Sequence, residues 1–211
     1  MAPVQPRLIR RAFTVVEVLI VVAVIAILAG VLFPVLANAR SEARKSTCLS
    51  NLHQLGSSIA MYSSDYDDHI PYSVDGFTLA TDLLNPSSTD LDVVILSTMP
   101  RFEVVVQPYA KSVQILACPA EHRFEYNIEG DVNYFRTYGS SYSYAIYPAY
   151  MKWTIEDFSV PTQQYIASDI APWHGGSDAT SFRINELFAD FHVKNVSWSD
   201  YLQSVVPYGL E

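Results

Sequence analysis

From Phe13 to Leu36 the side chains are apolar apart from Thr14, Glu17 and Pro34, and from Val18 to Phe33 none is polar. At about 1.5 Å per residue such a block forms a helix long enough to cross a bilayer. Beyond Pro34 the pattern changes. Cys48, Leu52, Leu55, Ile59 and Tyr62 recur at four and three residues, which predicts an amphipathic continuation of the helix over residues 37–65 with one apolar stripe. Arg40, Glu42, Arg44, Lys45 and Gln54 fall largely off that stripe. Ser63-Ser64-Asp65-Tyr66-Asp67-Asp68 ends the helix, because short polar side chains compete for the backbone. Pro34 lacks an amide hydrogen and predicts a kink or loosening around Gly30–Pro34.

Residues 66–211 carry shorter signals. Leu79–Thr89 reads as loop, Val93–Leu96 and Val104–Val106 as short apolar runs, and Gln114–Ala117 as a strand. Tyr138–Tyr150, rich in Tyr, Ser, Gly and Pro, reads as an irregular aromatic surface or a strand with loops, with packed aromatic side chains favoured over a sugar-binding platform. Gln164–Asp169 and Glu186–Val196 are the better strands, the second alternating through Leu187, Ala189 and Phe191. The expected fold class is α+β: a long N-terminal α-helix, transmembrane in its first half and amphipathic in its second, packed on an antiparallel β-sheet head.

Charge sharpens this division. The 211-residue chain is 50% hydrophobic with a formal net charge of −9, enough apolar material for a core and far from a disordered composition. From Ser46 onward seven Lys and Arg face twenty Asp and Glu. The other basic residues, Arg7, Arg10, Arg11, Arg40, Arg44 and Lys45, flank the apolar block, as in a segment set between lipid headgroups. An acidic head is a poor surface for nucleic acid. The two cysteines, Cys48 and Cys118, have no CxxC spacing and make no zinc motif. In a chain that leaves the cytosol they are read either as one disulfide or as two buried thiols. Because Cys48 lies on the apolar stripe, a Cys118 on a facing strand would staple helix to sheet.

Three readings compete for the N-terminal block. A secretory signal would be cut near Ala37-Asn38-Ala39, yet its apolar core is normally about 7 to 15 residues. A plain anchor accommodates the length but gives no reason for Glu17, whose burial costs about 2.5 to 3.5 kcal/mol at a helix centre. The third follows from a resemblance: Arg11-Ala12-Phe13-Thr14-Val15-Val16-Glu17-Val18-Leu19 resembles the processing site of type IV prepilins and type II secretion pseudopilins. The resemblance implies removal of a basic leader (residues 1–12) by prepilin peptidase between Ala12 and Phe13, methylation of the new Phe13 amine, and Glu17 as the assembly residue. Ala12 stands where the family has Gly. A cation at Phe13 meeting Glu17 of a neighbouring helix would neutralise both charges in an apolar filament core. Pro34 at this place in the helix is also a family trait.

The implied layout is a leader (1–12), a transmembrane and assembly helix (13–36), its amphipathic continuation (37–65) and an acidic extracytoplasmic head (66–211). Implied partners are prepilin peptidase, other pilin or pseudopilin subunits in a homo- or hetero-polymer, an assembly platform in the bacterial cytoplasmic membrane, and lipid. The chain would be a single-pass membrane protein with its N-terminus inside, later part of an extracytoplasmic filament.

A second resemblance lies further along. Cys48-Leu49-Ser50-Asn51-Leu52-His53-Gln54-Leu55-Gly56, Pro108-Tyr109-Ala110-Lys111 and Ile115-Leu116-Ala117-Cys118-Pro119 are similar to large pilin-like proteins whose C-terminal signature is a His, a spacer and Asp-Gly. Here that signature reads His174-Gly175-Gly176, Asn185 and Phe188-Ala189-Asp190-Phe191-His192-Val193-Lys194. The spacer is longer than the family's, and Phe191 replaces the Gly, which implies a different turn or a bulge. Asp169, His174, Asp178, Asp190 and His192 are the candidate ligands of a divalent cation, calcium by analogy with some pseudopilins. Calcium takes six to eight oxygens and no dense carboxylate motif is present, so structural hydrogen bonds are the competing reading and no cofactor is expected. The chain has no nucleophile elbow, HExxH or phosphate-binding Gly loop, and Ser141, His174 and Asp190 lack the local context of a triad. It is read as a non-enzyme, with a tethered or secreted binding module as the other functional class.

Overall fold

The computed structural model describes residues 14–84, 90–121, 133–175 and 181–205. The leader residues 1–12 and Phe13 lie outside them. The first helix, α1 (Val15–Asp65), is continuous through Pro34, so the missing amide weakens one turn without ending the helix. The chain divides into two units between Glu42 and Ala43. In the first unit the α1 side chains are open: Val16, Leu19, Ile27 and Phe33 are each 66–70% exposed. Of the described helices this one is long and apolar enough to cross a membrane.

In the second unit α1 supplies the core. Cys48, Leu52, Leu55, Gly56, Ile59 and Ser63 are buried, at spacings that keep them on one helical face. Gly56 brings the helix backbone down onto the sheet, where a Cβ would stand 2.7 Å from Leu187 Cδ1. The helix ends in left-handed backbone at Asp67 (φ 51°) and Asp68 (φ 61°). The Asp68 amide reaches back to the Ser63 carbonyl at 2.9 Å, the six-to-one bond of a Schellman ending, with Asp67 where glycine is usual. Backbone geometry, more than side-chain competition, closes α1.

Then follow α2 (Gly76–Leu84), α3 (Asp90–Thr98), α4 (Phe102–Val106), a 3-10 turn (Val113–Leu116), α5 (Tyr134–Tyr138), β1 (Tyr142–Tyr144) and α6 (Ile146–Tyr150). A second 3-10 turn (Ile155–Asp157), β2 (Tyr165–Asp169), β3 (Arg183–Phe188), β4 (Val193–Ser197) and α7 (Trp198–Val205) complete the described chain. Two sequence expectations are corrected here: residues 79–84 are helical rather than loop, with 85–89 outside the described residues, and 114–116 form a 3-10 turn instead of a strand. The short apolar runs at 93–96 and 104–106 lie within α3 and α4. Short apolar runs do not distinguish helix from strand, because a few residues cannot display either period.

Among the described residues the strands form one antiparallel sheet in the order β1-β2-β3-β4. β3 is covered on both faces. Leu187 meets the α1 side, whereas Ile184 and Phe188 join Val196 under Trp198 and Tyr201 of α7. The tyrosine-rich stretch packs inward. Tyr142 and Tyr144 are buried, Tyr144 stacks on Phe102 at 4.2 Å, and its hydroxyl donates to the Pro71 carbonyl at 2.9 Å. An aromatic ring inside a core keeps its polar tip satisfied in this way.

The hairpin joining β3 to β4 takes the bulged form among the expected alternatives. Phe191 occupies the left-handed region at φ 66°. Its amide donates to the Phe188 carbonyl at 2.8 Å and the Phe188 amide to the His192 carbonyl at 3.0 Å. The result is a three-residue loop with its left-handed position retained and a phenylalanine standing in it. The strain, roughly 1 kcal/mol, is offset by packing, since the Phe191 ring lies against the core.

Candidate functional sites

Two places carry chemistry: the start of α1 and the buried junction around Cys118. At the first, Glu17 has a partner that the sequence reading missed. Glu17 Oε2 accepts from both the Thr14 amide and the Thr14 hydroxyl at 2.8 Å, and the Glu17 amide donates to Thr14 Oγ1 at 3.2 Å. This is a reciprocal capping box, and Thr14-Val15-Val16-Glu17 carries its Thr-x-x-Glu signature in plain view. The carboxylate also sits where the helix dipole is positive. Glu17 is therefore not stranded within a single chain, and its cost in an apolar setting is reduced before any neighbour arrives. Ala12 and Phe13 lie outside the described residues.

At the second, Cys48 and Cys118 form a disulfide with Cα atoms 5.0 Å apart, joining α1 to the segment after the first 3-10 turn. Cys118 thus lies in a loop and not on a facing strand. Neighbouring polar groups fix that loop. Asn51 Nδ2 donates to the Ala117 carbonyl at 2.8 Å, the Cys118 amide donates to Ser141 Oγ at 2.9 Å, and the Ser141 hydroxyl donates to Glu121. Asn51 and Cys48 are one turn apart on α1, so helical spacing delivers both to the same loop.

Next to the disulfide, His174 Nε2 lies 3.6 Å from Cys118 Sγ and 3.3 Å from Asp169 Oδ2. Both partners approach the same ring nitrogen. Asp169, at the end of β2, is buried and accepts the Asn185 amide of β3 at 2.7 Å. Burial pushes its carboxyl well above the usual range, and the Asn185 bond only partly opposes this. The remaining candidate ligands lie elsewhere. Asp190 and His192 form their own exposed pair in the β3–β4 hairpin, with the imidazole stacked on Phe188 at 4.3 Å. Asp178 lies outside the described residues. The structure thus places the other four as two pairs, one buried and one exposed. Nor is a triad assembled from Ser141, His174 and Asp190, since Ser141 bonds to Glu121, His174 to Asp169 and Asp190 to His192.

Two further buried carboxyls were invisible to motif reading. Asp75 caps α2, its Oδ1 accepting the Phe77 and Thr78 amides at 3.0 and 2.9 Å. Its Oδ2 accepts the Tyr144 amide at 3.1 Å, which ties the cap to β1. Burial still raises its carboxyl. Glu186 of β3 takes the Ser204 hydroxyl of α7 at 2.6 Å, and burial pushes it up to about 7. The Asp75 cap had a local signal, an Asp ahead of a helical run with Thr three residues on. Glu186 had none, because what covers it comes from residues 198–205.

Residues 7–33 match the prokaryotic N-terminal methylation motif. The match covers Arg7, Arg10 and Arg11, the Ala12–Phe13 bond, Glu17 and most of the apolar block, and stops well short of the C-terminal His and Asp residues. No curated protein and no solved structure matches the chain. The motif supports a type IV pilin-like protein processed as a prepilin, and with the apolar helix it supports membrane anchoring. It is a processing and methylation motif rather than the signature of an enzyme family. The α+β layout, a long N-terminal helix followed by a four-stranded antiparallel sheet, agrees with that class.

Proposed function

We propose that this chain is a structural subunit of a type IV pilus or a type II secretion pseudopilus. Prepilin peptidase cuts between Ala12 and Phe13 and the new amine is methylated. Residues 13–36 hold the subunit in the cytoplasmic membrane with the head outside, and an assembly platform then moves it into a filament with like or related subunits. The observation that carries this reading is the methylation motif lying across the first stretch of α1, whose described apolar side chains are exposed. In lipid those side chains are solvated by acyl chains. In a filament they would pack against equivalent helices, where the drive is close packing rather than exclusion of water.

Glu17 fits this scheme with a modification. Cleavage would leave the Phe13 amine next to Thr14, so the carboxylate has a capping role at home and an ion pair to offer across subunits. The capping box also favours a second reading, a head tethered by an uncleaved anchor, because a self-satisfied Glu17 needs no neighbour. Mass spectrometry of the mature N-terminus separates the two. N-methylated Phe13 in purified surface filaments supports the subunit, while an intact leader, or a start near Arg40, sinks it. Glu17→Ala is expected to leave membrane insertion unchanged and to reduce filament incorporation at least tenfold. Thr14→Ala, which removes the side-chain half of the cap, should cost far less.

A further inference from the structure

Spacing along the chain gives Cys48 and Cys118 no zinc motif, but the fold brings two more donors to them. Cys48 Sγ, Cys118 Sγ and a ring nitrogen of His174 lie within 4.8 Å of one another, and all three residues are buried. Asp169 Oδ2 adjoins the same nitrogen, His174 Nε2, at 3.3 Å, while standing outside that 4.8 Å group. Zinc held tetrahedrally by sulfur at about 2.3 Å and by nitrogen and oxygen at about 2.0 Å keeps its ligands about 3.5 Å apart for S–N and about 3.3 Å for N–O. The observed separations from Nε2 are 3.6 Å to Cys118 Sγ and 3.3 Å to Asp169 Oδ2. The second observation concerns Asp169 itself. It is 1% exposed, its Oδ1 accepts no hydrogen bond of ordinary geometry, and the Trp173 side chain beside it opposes the effect of burial only in part. A carboxyl so placed is costly unless a cation or donor meets it.

We propose that the dithiol form of this protein holds one zinc ion between Cys48, Cys118, His174 and Asp169. A dithiol reductant delivers two electrons and two protons to the disulfide and leaves as its own disulfide, giving two thiols. Zinc then displaces both thiol protons. The two thiolates neutralise the dication, His174 contributes Nε2, and Asp169 Oδ2, 3.3 Å from that nitrogen, moves in to complete the tetrahedron once the disulfide opens. Thiolate and imidazole donors select zinc over calcium or magnesium, which take oxygen. The metal and the disulfide are then alternative staples of one junction, α1 to the loop after the 3-10 turn. Nothing in this depends on filament assembly.

The test uses the full chain in detergent micelles, reduced with a phosphine, freed of reductant without air and titrated with zinc or cobalt. The expected result is about one zinc per reduced chain and less than a tenth of that per oxidised chain. Cobalt should show thiolate charge transfer and tetrahedral d–d absorption, and His174→Ala should weaken binding at least tenfold. Asp169→Asn, which keeps the shape of the carboxyl, should also weaken it and serves if His174→Ala does not fold. Near-ultraviolet circular dichroism follows the head throughout. If reduction unfolds it, recovery on adding zinc supports the site and failure to recover overturns it. A folded, reduced chain without cobalt bands overturns it as well, as do bands that both variants leave unchanged.

Discussion

Helix α1 passes through two environments, and its two stretches solve opposite problems. From Leu19 to Phe33 the large apolar side chains are each at least half exposed, whereas Cys48, Leu52, Leu55 and Ile59 are fully covered. The backbone is the same, but the first stretch is apolar throughout and the second along one face, and their surroundings differ accordingly. The second stretch is narrow because one face suffices to meet the head's core. The first is apolar all round, as a helix must be when every direction is lipid or another helix. Stability of the head is therefore internal to the chain, while placement of the first stretch depends on something outside it.

That contrast is testable from its largest expected effect downward. Replacing both cysteines, Cys48→Ser with Cys118→Ser, opens a loop of sequence separation 70 and should cost the oxidised head about 4 kcal/mol in chemical unfolding, with membrane insertion intact. Leu55→Ala, at a fully buried position, should cost about 3 kcal/mol, while Ile25→Ala in the exposed stretch should leave the head's thermal unfolding where it was. Equal losses from the two would erase the distinction between the halves of the helix.

A third prediction uses pH. The Glu186 carboxyl is raised from 4.5 to about 7, chiefly by burial and further by Asp200, with Ser204 and Lys194 opposing. The native head then binds a proton that the unfolded chain has released, so this group's contribution is fullest below pH 4.5 and is lost as pH rises to about 7. Unfolding measured across that window should show a decline on the order of 2 to 3 kcal/mol from this group, which Glu186→Gln abolishes. The smallest effect is expected at the β3–β4 hairpin. Phe191→Gly relieves left-handed strain but loses ring packing, so the melting temperature should move by less than the equivalent of about 1 kcal/mol.

What could be read in the chain follows from period and composition. The apolar block, the stripe through Cys48, Leu52, Leu55 and Ile59, and the strand at 165–169 announce themselves because each repeats a helical or strand period or sustains one character over enough residues. The helices at 76–84 and 102–106 did not, since so few residues show less than three turns. At Phe191 the sequence leaves a different turn or a bulge open, and a left-handed backbone that favours glycine without requiring it keeps the two from being separated in advance. At Glu17 the Thr-x-x-Glu spacing is itself the signal of the capping box that the structure shows.

The sequence alone determined that one N-terminal helix is apolar on every side, that its continuation is not, and that a processing motif lies at its start. These are local properties, carried by adjacent residues whatever the rest of the chain does. Only the tertiary structure decided that His174 meets both Cys118 and Asp169, that Glu186 lies beneath α7, and that Gly56 admits Leu187. Each of these joins residues distant along the chain, and their meeting depends on how helix and sheet pack, a geometry that no short window of sequence contains.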